Sequence, residues 1–292
     1  MTKKYFFLFF LLLITACSSQ DSSFPIDGIQ KGVSISPQSS SPEDFVAFFT
    51  KAQETGTVVS WAGDWNELSN IDSGAPAVLI GLSKNYDYTP VLEVQFFQQS
   101  EKELLRPFTQ ENLENYQEIT LAFVEKHHPP YLGIGIEVNI LYEFSPEDFA
   151  GYVQFYDSLY DQIKTISPET KVFPVFQLER MKGLQGGLFG GENSDAHMQW
   201  QLLEQFPKAD VFGFTTYPGL IYTDPSDIPE DYYLDIKTHT QKEIIFTEIG
   251  WTSGSTLEGW ESSEEEQALF VERFFALAQE SSAQIYIWSF LY

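Results

Sequence analysis

Hydrophobic and polar residues change their spacing repeatedly along the chain from Lys31 onward. Short runs rich in Val, Ile and Phe, bounded by Gly, Pro or Asp, are typical of buried β-strands. Longer segments between them carry hydrophobic residues at the spacing of an amphipathic helix. The predicted strands lie at 32–36, 57–61, 90–96, 132–139, 172–177, 211–217, 243–248 and 284–290.

Several of the predicted helices have recognisable first turns. The sequence Ser-Pro-Glu-Asp occurs at 41–44 and again at 145–148, and Ser-Ser-Glu-Glu occurs at 262–265. A serine N-cap satisfies free backbone N–H groups, and acidic residues in the first turn oppose the helix dipole. Strands that alternate with helices through right-handed crossovers form a parallel sheet.

Eight such units favour closure into an α/β (β/α)₈ TIM barrel over an open doubly wound sheet. No Gly-x-Gly-x-x-Gly motif follows the first predicted strand, so the fingerprint of a dinucleotide-binding fold is missing. The eighth predicted strand runs to the end of the sequence, so the predicted barrel lacks the helix after strand eight. Either this barrel dispenses with that helix or the sequence is truncated.

The N-terminal residues carry a targeting signal. Lys3 and Lys4 precede an apolar and aromatic run at 5–14 that is too short to span a bilayer stably. Ile-Thr-Ala-Cys at 14–17 resembles the lipobox of bacterial lipoproteins, in which the cysteine becomes lipid-modified. An ordinary secretory signal with an incidental cysteine is the alternative. The lipoprotein hypothesis predicts a signal peptide at 1–16, lipidation of Cys17, a polar tether at 17–30 and a barrel domain at 31–292.

A lipid-modified cysteine would anchor the exported protein to the bacterial cell envelope, at the outer membrane or cell surface. Composition narrows its other partners. The 292 residues include 16 Lys and Arg against 42 Asp and Glu, a formal net charge of −26. Such a surface repels phosphate backbones, so we expect no nucleic-acid partner, and polyanionic polysaccharides are disfavoured. No oligomeric interface is visible in the sequence, and we expect a monomer.

Sequence motifs for metal, disulfide or serine chemistry are missing. Cys17 is the only cysteine, and the four histidines lie in or beside predicted helices without HExxH spacing. No Gly-x-Ser-x-Gly elbow is present, which argues against a serine hydrolase. We therefore expect neither a metal nor an organic cofactor.

Two glutamates lie at the ends of predicted strands, where barrel enzymes place their chemistry. In the fourth strand, alternation puts Gly133, Gly135, Glu137 and Asn139 on the face toward the barrel axis. In the seventh strand, the same alternation puts Ile244, Phe246 and Glu248 on the face toward the axis, opposite Ile245 and Thr247. Glu248 ends an Ile-Ile-Phe run, and burying a charge beside apolar groups is costly. A facing pair suits glycosidic bond cleavage, since one acid protonates the leaving oxygen while the other attacks the anomeric carbon. Either glutamate alone could instead cap a helix or pair with an arginine.

At these positions the sequence resembles clan A glycoside hydrolases, which carry the acid/base on strand four and the nucleophile on strand seven. Thr-Glu-Ile-Gly-Trp-Thr-Ser at 247–253 is similar to the nucleophile segment of endo-β-1,4-galactanases and plant-type β-1,3-glucanases. The segments at 135–139 and 213–218 resemble two further galactanase segments. The resemblance implies that Glu137 is the acid/base, that Glu248 is the nucleophile and that Tyr217 orients it. An oligo- or polysaccharide would then be the substrate.

One residue departs from that pattern. The clan normally has an asparagine before the acid/base, where it binds the sugar 2-hydroxyl, and Ile136 occupies this position here. Isoleucine cannot make that bond, so another group replaces it, or the rate is low, or the protein binds glycan without cutting it. The first hypothesis is a retaining, endo-acting hydrolase of a neutral polysaccharide such as β-galactan or β-glucan. The second is a catalytically inactive glycan-binding lipoprotein.

Further residues near the predicted strand ends are candidates for contacts with sugar. Flat aromatic rings can stack on the apolar faces of sugars, and polar side chains can bind hydroxyl groups. The alternatives are core packing for the tryptophans and plain solvation for the polar residues. The candidates are Trp61, Trp65, Trp251, Trp288, Asp64, Gln95, Gln177 and Asn139.

Overall fold

Nine parallel strands form a nearly closed barrel with helices on its outer face in the computed structural model, which describes residues 28–254, 258–289 and 291. The strands are β1 (Gln30–Ser34), β2 (Val58–Asp64), β3 (Thr89–Gln95), β4 (Phe97–Gln98), β5 (Glu103–Leu104), β6 (Tyr131–Ile134), β7 (Lys171–Phe173), β8 (Val175–Gln177), β9 (Val211–Thr216), β10 (Glu243–Ile249) and β11 (Ile285–Trp288). The helices are α1 (Pro42–Thr55), α2 (Ala75–Tyr86), α3 (Gln110–His127), α4 (Val138–Phe144), α5 (Pro146–Ile166), α6 (Leu178–Met181), α7 (Ile236–His239) and α8 (Glu264–Ala278).

The predicted signal peptide, Cys17 and most of the predicted tether lie outside the described residues. Within the described ranges, no helix has the length and apolar character needed to cross a membrane.

The barrel strands follow the order β7-β6-β3-β2-β1-β11-β10-β9-β8, while β4 and β5 form a separate antiparallel pair. Only Pro174 separates β7 from β8, and proline has no N–H to donate to a sheet ladder. These two short strands therefore occupy one barrel position, in which β7 pairs with β6 and β8 pairs with β9. All eight predicted strands exist, and the predicted (β/α)₈ barrel is confirmed.

Hydrophobic side chains fill the lower part of the barrel interior, as is usual in this fold. In β3, interior Val91 alternates with Leu92, which belongs to the larger core between the strands and the helices. The interior cluster therefore shows which strand positions face the barrel axis. Its members are Val58, Val91, Phe173, Val175, Val211, Ile245, Ile285 and Ile287.

The fourth barrel strand ends earlier than predicted. β6 stops at Ile134, and the chain turns at Gly135 (φ 93°) and Glu137 (φ 51°) before α4 begins. Strand alternation holds for Gly133, which faces the interior, but it cannot be extended through residues with positive φ. The prediction that Asn139 shares this strand face was wrong, because Asn139 lies in the first turn of α4.

The two faces of the seventh barrel strand were also assigned wrongly. Ile245 lies in the barrel interior and Phe246 in the outer core, which is the reverse of the prediction. The pairing of β10 with β9 shifts register between Phe246 and Glu248. An irregularity of this kind re-aims the side chains that follow it. Glu248 therefore reaches the barrel mouth although its parity matches that of Phe246.

Two of the three predicted helix starts form side-chain caps. The hydroxyls of Ser41 and Ser263 each accept a hydrogen bond from the backbone N–H three residues later, at 3.2 and 3.1 Å. At the start of α5, the Ser145 hydroxyl donates instead to the Asp148 carboxylate at 2.6 Å.

The helix layer is thin on one side of the barrel. Only four-residue helices and short 3₁₀ turns follow β8 and β9. The described chain has no helix after β11, and a side groove of about 460 Å³ lies there, lined by Val33, Phe274, Phe275, Tyr286 and Trp288 among others.

The turn at Gly135 yields a stability prediction. We expect Gly135→Ala to lower the free energy of unfolding by roughly 2–4 kcal/mol, because φ is positive there and an added Cβ would lie 2.6 Å from the Phe96 ring. Gly151→Ala in α5 is the matched control, since an added Cβ there meets nothing within 4 Å. It should stabilise by roughly 0.5–1 kcal/mol. Urea unfolding measures both, and equal effects would contradict the expected strain.

Candidate active site

Glu137 and Glu248 meet at the barrel end where the strands finish. Glu137 lies in the turn between β6 and α4, while Glu248 lies near the end of β10 in register with Thr215 of β9. The Thr215 hydroxyl donates to Glu137 Oε1 at 2.7 Å, so one residue contacts both segments. Both glutamates are half-buried and reach solvent. The structure thus brings together the two carboxyl groups that were singled out from the sequence.

Tyr217 holds Glu248 by a hydrogen bond. Its hydroxyl donates to Glu248 Oε2 at 2.5 Å and lies 2.7 Å from the Ser289 hydroxyl. The Ser289 hydroxyl has one proton, which it can donate to the phenol oxygen or to the Ile249 carbonyl oxygen at 3.1 Å; in either case the phenol proton is available for Glu248. Burial and the neighbouring Glu248 charge raise the pKa of Tyr217 far above its ordinary value, so Tyr217 remains a donor at physiological pH.

A polar network orients Glu137. Gln177 Nε2 donates to Glu137 Oε1 at 3.0 Å, and Arg180 Nε donates to Gln177 Oε1 at 3.2 Å. Arg180 also pairs with Glu143 at 2.5 Å. Because the guanidinium can only donate, it fixes the Gln177 amide with its oxygen toward Arg180 and its nitrogen toward Glu137.

Burial raises the pKa of both carboxyl groups. The pKa of Glu248 rises to about 7, mainly through burial, against the effect of the Tyr217 hydrogen bond and with a contribution from the Glu137 charge. Burial also raises the pKa of Glu137, which its two hydrogen bonds and the Arg180 charge oppose. Both shifts favour the protonated forms, and general acid catalysis uses a group that carries its proton at the working pH. Because both values are raised, their direction alone does not separate an active enzyme from an inactive binding protein.

Glu93 of β3 is a buried carboxyl group that was not singled out from the sequence. It is 1% exposed, and burial followed by repulsion from Glu248 raises its pKa to about 8. The available signal was a charged residue inside the hydrophobic run at 91–94. Without knowledge of which strand positions face the interior, that signal also fits a surface residue.

Glu179 of α6 is a second such group, and it is fully buried. Its Oε1 accepts hydrogen bonds from the Thr216 hydroxyl at 2.9 Å, the Tyr232 hydroxyl at 3.0 Å and the Tyr217 backbone N–H at 3.1 Å. Burial raises its pKa to about 7. Glu179 therefore helps to place the tyrosine that donates to Glu248, an effect that depends on residues far apart in the sequence.

An aromatic groove of about 700 Å³ lies beside Glu248, over the loops that follow β9, β10 and β11. Trp251 and Trp288, both predicted candidates, line it. Trp260 and Tyr222 also line it and were not predicted, because they lie in loops rather than at strand ends. We use the name aromatic groove for the cavity lined by Tyr217, Tyr222, Trp251, Trp260 and Trp288.

Three other candidates for sugar contact lie inside protein packing. Trp65 is 2% exposed and stacks on Tyr116 with ring centroids 4.7 Å apart. Trp61 is 5% exposed and belongs to the outer core. Asn139 is fully buried, and its amide bonds to the Gln177 backbone on one side of α4. Their burial is incompatible with the predicted contacts to sugar.

The remaining polar candidates already have protein partners. Asp64 accepts two hydrogen bonds of 2.8 Å from Arg106. Gln95 donates to a backbone carbonyl at 2.7 Å. Gln177, which is 6% exposed, bonds to Glu137. In the structure Gln177 therefore contacts the candidate acid, whereas Asp64 and Gln95, the last residues of β2 and β3, bond to the segment between β3 and α3.

The described residues contain no group of three or more His, Cys, Asp or Glu side chains that could hold a metal ion. The acidic groups of the site are instead accommodated by hydrogen bonds and by retained protons.

The sequence matches no protein-family model and no curated protein. Solved structures are similar in fold. A GH53 catalytic domain from Ignisphaera aggregans has a TM-score of 0.60 at 12% identity, over 91% of this chain and 86% of that one. Xylanase 10B from Thermotoga maritima has a TM-score of 0.57 at 12% identity, over 90% and 83%. For an exo-β-1,4-mannosidase from an Opitutaceae bacterium, the TM-score is 0.60 at 13% identity, over 89% of this chain and 52% of that one. Such likeness shows that the chain has the barrel fold of these glycoside hydrolases.

The buried carboxyl groups predict how stability depends on pH. A carboxyl group whose pKa is higher in the folded than in the unfolded protein contributes most to folding stability at pH values below its pKa in the unfolded protein. That contribution is lost as the pH rises through the pKa of the folded protein. For Glu179 this window runs from 4.5 to about 7. We expect Glu179→Gln, which cannot ionise, to be more stable than the wild type at about pH 8, by at most roughly 3 kcal/mol.

Denaturant unfolding across pH measures this difference. The exposed Glu118→Gln on α3 serves as the control and should follow the wild-type curve. A Glu179→Gln variant that loses stability relative to the wild type as pH rises would contradict the prediction.

Proposed function

We propose that this protein is a retaining glycoside hydrolase of the clan A type that cuts a neutral polysaccharide such as β-galactan or β-glucan from within the chain. The observation that carries the proposal is the pair Glu137 and Glu248 at the barrel mouth. Both are half-buried, the Thr215 hydroxyl donates to Glu137, and Thr215 is the backbone register partner of Glu248. The barrel likeness to glycoside hydrolases supports it.

In this mechanism Glu248 is the nucleophile. The Tyr217 hydroxyl donates to Glu248 Oε2. No group in the described chain donates to Glu248 Oε1, so Oε1 is free to attack the anomeric carbon. The Tyr217 hydrogen bond favours the charged form of Glu248, which is the form that attacks. The attack displaces the leaving oxygen and forms a glycosyl-enzyme ester.

Glu137 is the acid and then the base. Thr215 and Gln177 both bind Oε1, and in the described chain no protein group donates to Oε2. Oε2 can therefore carry the proton that passes to the leaving oxygen, and the resulting carboxylate then takes a proton from the water that cleaves the ester. The retaining outcome is proposed from the resemblance to clan A enzymes; retaining enzymes place the two carboxyl groups about 5–5.5 Å apart, so that the second carboxylate can attack the sugar directly.

The aromatic groove supports a neutral substrate. Its volume is within the range of about 300–1,000 Å³ that is common for ligand sites. Its described lining includes Trp260, Trp288 and Tyr222 as rings for stacking, while Trp251 is 7% exposed and stacks on Phe270 as part of the wall. The described lining contains no lysine or arginine to neutralise a uronic acid. Arg180, the cation beside Glu137, already pairs with Glu143. An open groove of this kind suits an internal stretch of a polysaccharide.

Ile136 favours the second candidate function, an inactive glycan-binding protein. Its side chain is 6% exposed and cannot bind a sugar hydroxyl. Gln99 lies nearby, but its amide nitrogen donates to the Ile136 carbonyl at 3.1 Å. Neither Ile136 nor the Gln99 amide nitrogen is therefore available for the 2-hydroxyl contact expected in this clan, and a binding protein would not need that contact.

Turnover of galactans and β-glucans by the purified protein separates the two candidates. We expect Glu248→Ala to abolish hydrolysis and Glu137→Ala to lower kcat by about 10²–10⁴-fold. On aryl glycosides with acidic leaving groups, Glu137→Ala should lose less in the first step, because the leaving group needs no proton. Proton NMR of the first product should show retention at the anomeric carbon.

The exposed Glu118→Ala on α3 is the control and should keep wild-type turnover. Hydrolysis that survives both active-site alanines would overturn the assignment. Glycan binding by calorimetry without turnover would favour the inactive binding protein.

We also propose that Cys17 carries a lipid that anchors the protein to the bacterial envelope. The support is the order of features in the first 17 residues: two lysines, then an apolar run, then Ile-Thr-Ala-Cys at 14–17. Expression in a bacterial host with a clickable fatty acid should label the wild type and leave Cys17→Ser unlabelled. Labelled Cys17→Ser, or unlabelled wild type in the soluble fraction, would contradict lipidation.

A further inference from the structure

Glu93 is a carboxyl group that the proposed mechanism does not use. It follows interior Val91 by two residues in β3, so its side chain is directed toward the barrel axis. Gly133, its register partner on β6, leaves the space for it, because an added Cβ there would lie 3.0 Å from Glu93 Cγ. Glu93 Oε2 is buried and has no hydrogen-bond partner.

Thr247 approaches Glu93 from β10. It follows interior Ile245 by two residues, precedes Glu248 and is fully buried. The Thr247 hydroxyl lies close enough to lower the pKa of Glu93, yet its oxygen is also without a formed hydrogen bond. A hydroxyl can donate to a carboxylate or accept from a carboxylic acid. The charges around Glu93 therefore decide which of the two forms is present.

Those charges are acidic. Glu248 on β10 and Glu137 in the turn after β6 are the ionisable groups that act on Glu93. Its register partners on β2 and β6 are an alanine and a glycine. Asp64, at the end of β2, is paired with Arg106 from the segment between β5 and α3. An ionised Glu93 would meet both burial and repulsion, and no cation is among the described groups that act on it.

We propose that Glu93 is a positioning residue that remains a neutral carboxylic acid, donates its proton to Thr247 and leaves the negative charge of the site on Glu248. This inference rests on the proposed glycoside hydrolase function. Thr247 and Glu248 are consecutive, so a hydrogen bond that holds Thr247 also holds the backbone of the nucleophile. A neutral group below Glu248 adds no second charge that would retain a proton on the nucleophile.

Kinetics of two Glu93 variants tests the role. Glu93→Gln keeps a neutral side chain with an N–H donor, whereas Glu93→Leu removes the donor. We expect the Gln variant to keep kcat and the acid limb of the pH profile. The Leu variant should lose about tenfold in kcat at unchanged KM, the rate equivalent of one lost hydrogen bond. Thr247→Val should lose as much, and combining it with Glu93→Leu should add nothing.

Two kinetic outcomes would overturn the proposal. An acid limb displaced to lower pH in Glu93→Gln would show that wild-type Glu93 is charged, because removing a negative neighbour lowers the pKa of Glu248. A kcat that falls as far in the Gln variant as in the Leu variant would show that a neutral donor is not what the site needs.

Thermal unfolding gives a readout that does not depend on activity. The stability that a protonated Glu93 supplies is lost as pH rises from 4.5 through about 8, and Glu93→Gln has no such loss. We expect equal Tm values at about pH 4 and a Tm at least about 5 °C higher for Glu93→Gln at about pH 9. A lower Tm for Glu93→Gln at the higher pH would overturn the proposal, even if the Leu variant fails to fold.

The two proposals can fail separately. Wild-type protein without turnover on any substrate would refute the hydrolase function, while the Tm comparison would still determine whether Glu93 is neutral. Normal turnover together with a shifted acid limb would refute only the role of Glu93. Glu118→Gln is the exposed control for both measurements.

Discussion

Removal of carboxyl groups from water is the physical constraint on which the arrangement of this site depends. Glu93, Glu137, Glu179 and Glu248 all lie at or below the barrel mouth, and burial is the largest cause of the raised pKa of each. Four such groups cannot all ionise without cations, and metal or basic side chains could have supplied that charge. In the described site, neutral hydrogen-bond donors and retained protons stabilise the carboxyl groups instead, so the barrel mouth needs few cations. A site that holds protons at neutral pH is suited to passing them to a leaving group.

Arg180 is a cation near Glu137 that acts on it without direct contact. Arg180 does not touch Glu137; it pairs with Glu143 and fixes Gln177, which then donates to Glu137. Direct contact would lower the pKa of Glu137 strongly and would occupy the oxygen needed for proton transfer. An intervening amide transmits orientation and only part of the charge effect. Asn139 supports the same network from α4 by accepting the Gln177 backbone N–H at 2.8 Å. Its burial thus has a structural use that differs from the predicted one.

Hydrophobic periodicity was enough to predict the eight barrel positions and the two glutamates at the mouth, because buried strands carry a strong composition signal. It did not predict where a strand stops. Alternation was extended to Asn139 through Gly135, whose positive φ ends the strand, and it reversed the faces of β10 because a register shift is invisible in the sequence. Trp65 lies near a strand end but packs on α3, which depends on tertiary contacts. Glu93 was overlooked because one charged residue in a strand does not reveal which way it faces.

The interruption of the fifth barrel strand at Pro174 connects sheet closure to chemistry. Above the proline, β8 is fully paired with β9 but receives only one backbone hydrogen bond from the β6 side, between Val175 and Gly135. Glu137 belongs to the β6 side, while its two donors, Gln177 and Thr215, belong to the other. Separation of β8 from the β6 side would therefore break both hydrogen bonds to Glu137 at once. A ligand that binds only when Glu137 is aligned would in turn stabilise the paired state of the β6 and β8 edges. Ligand binding at the barrel mouth and pairing of these edges would then favour each other by thermodynamic linkage.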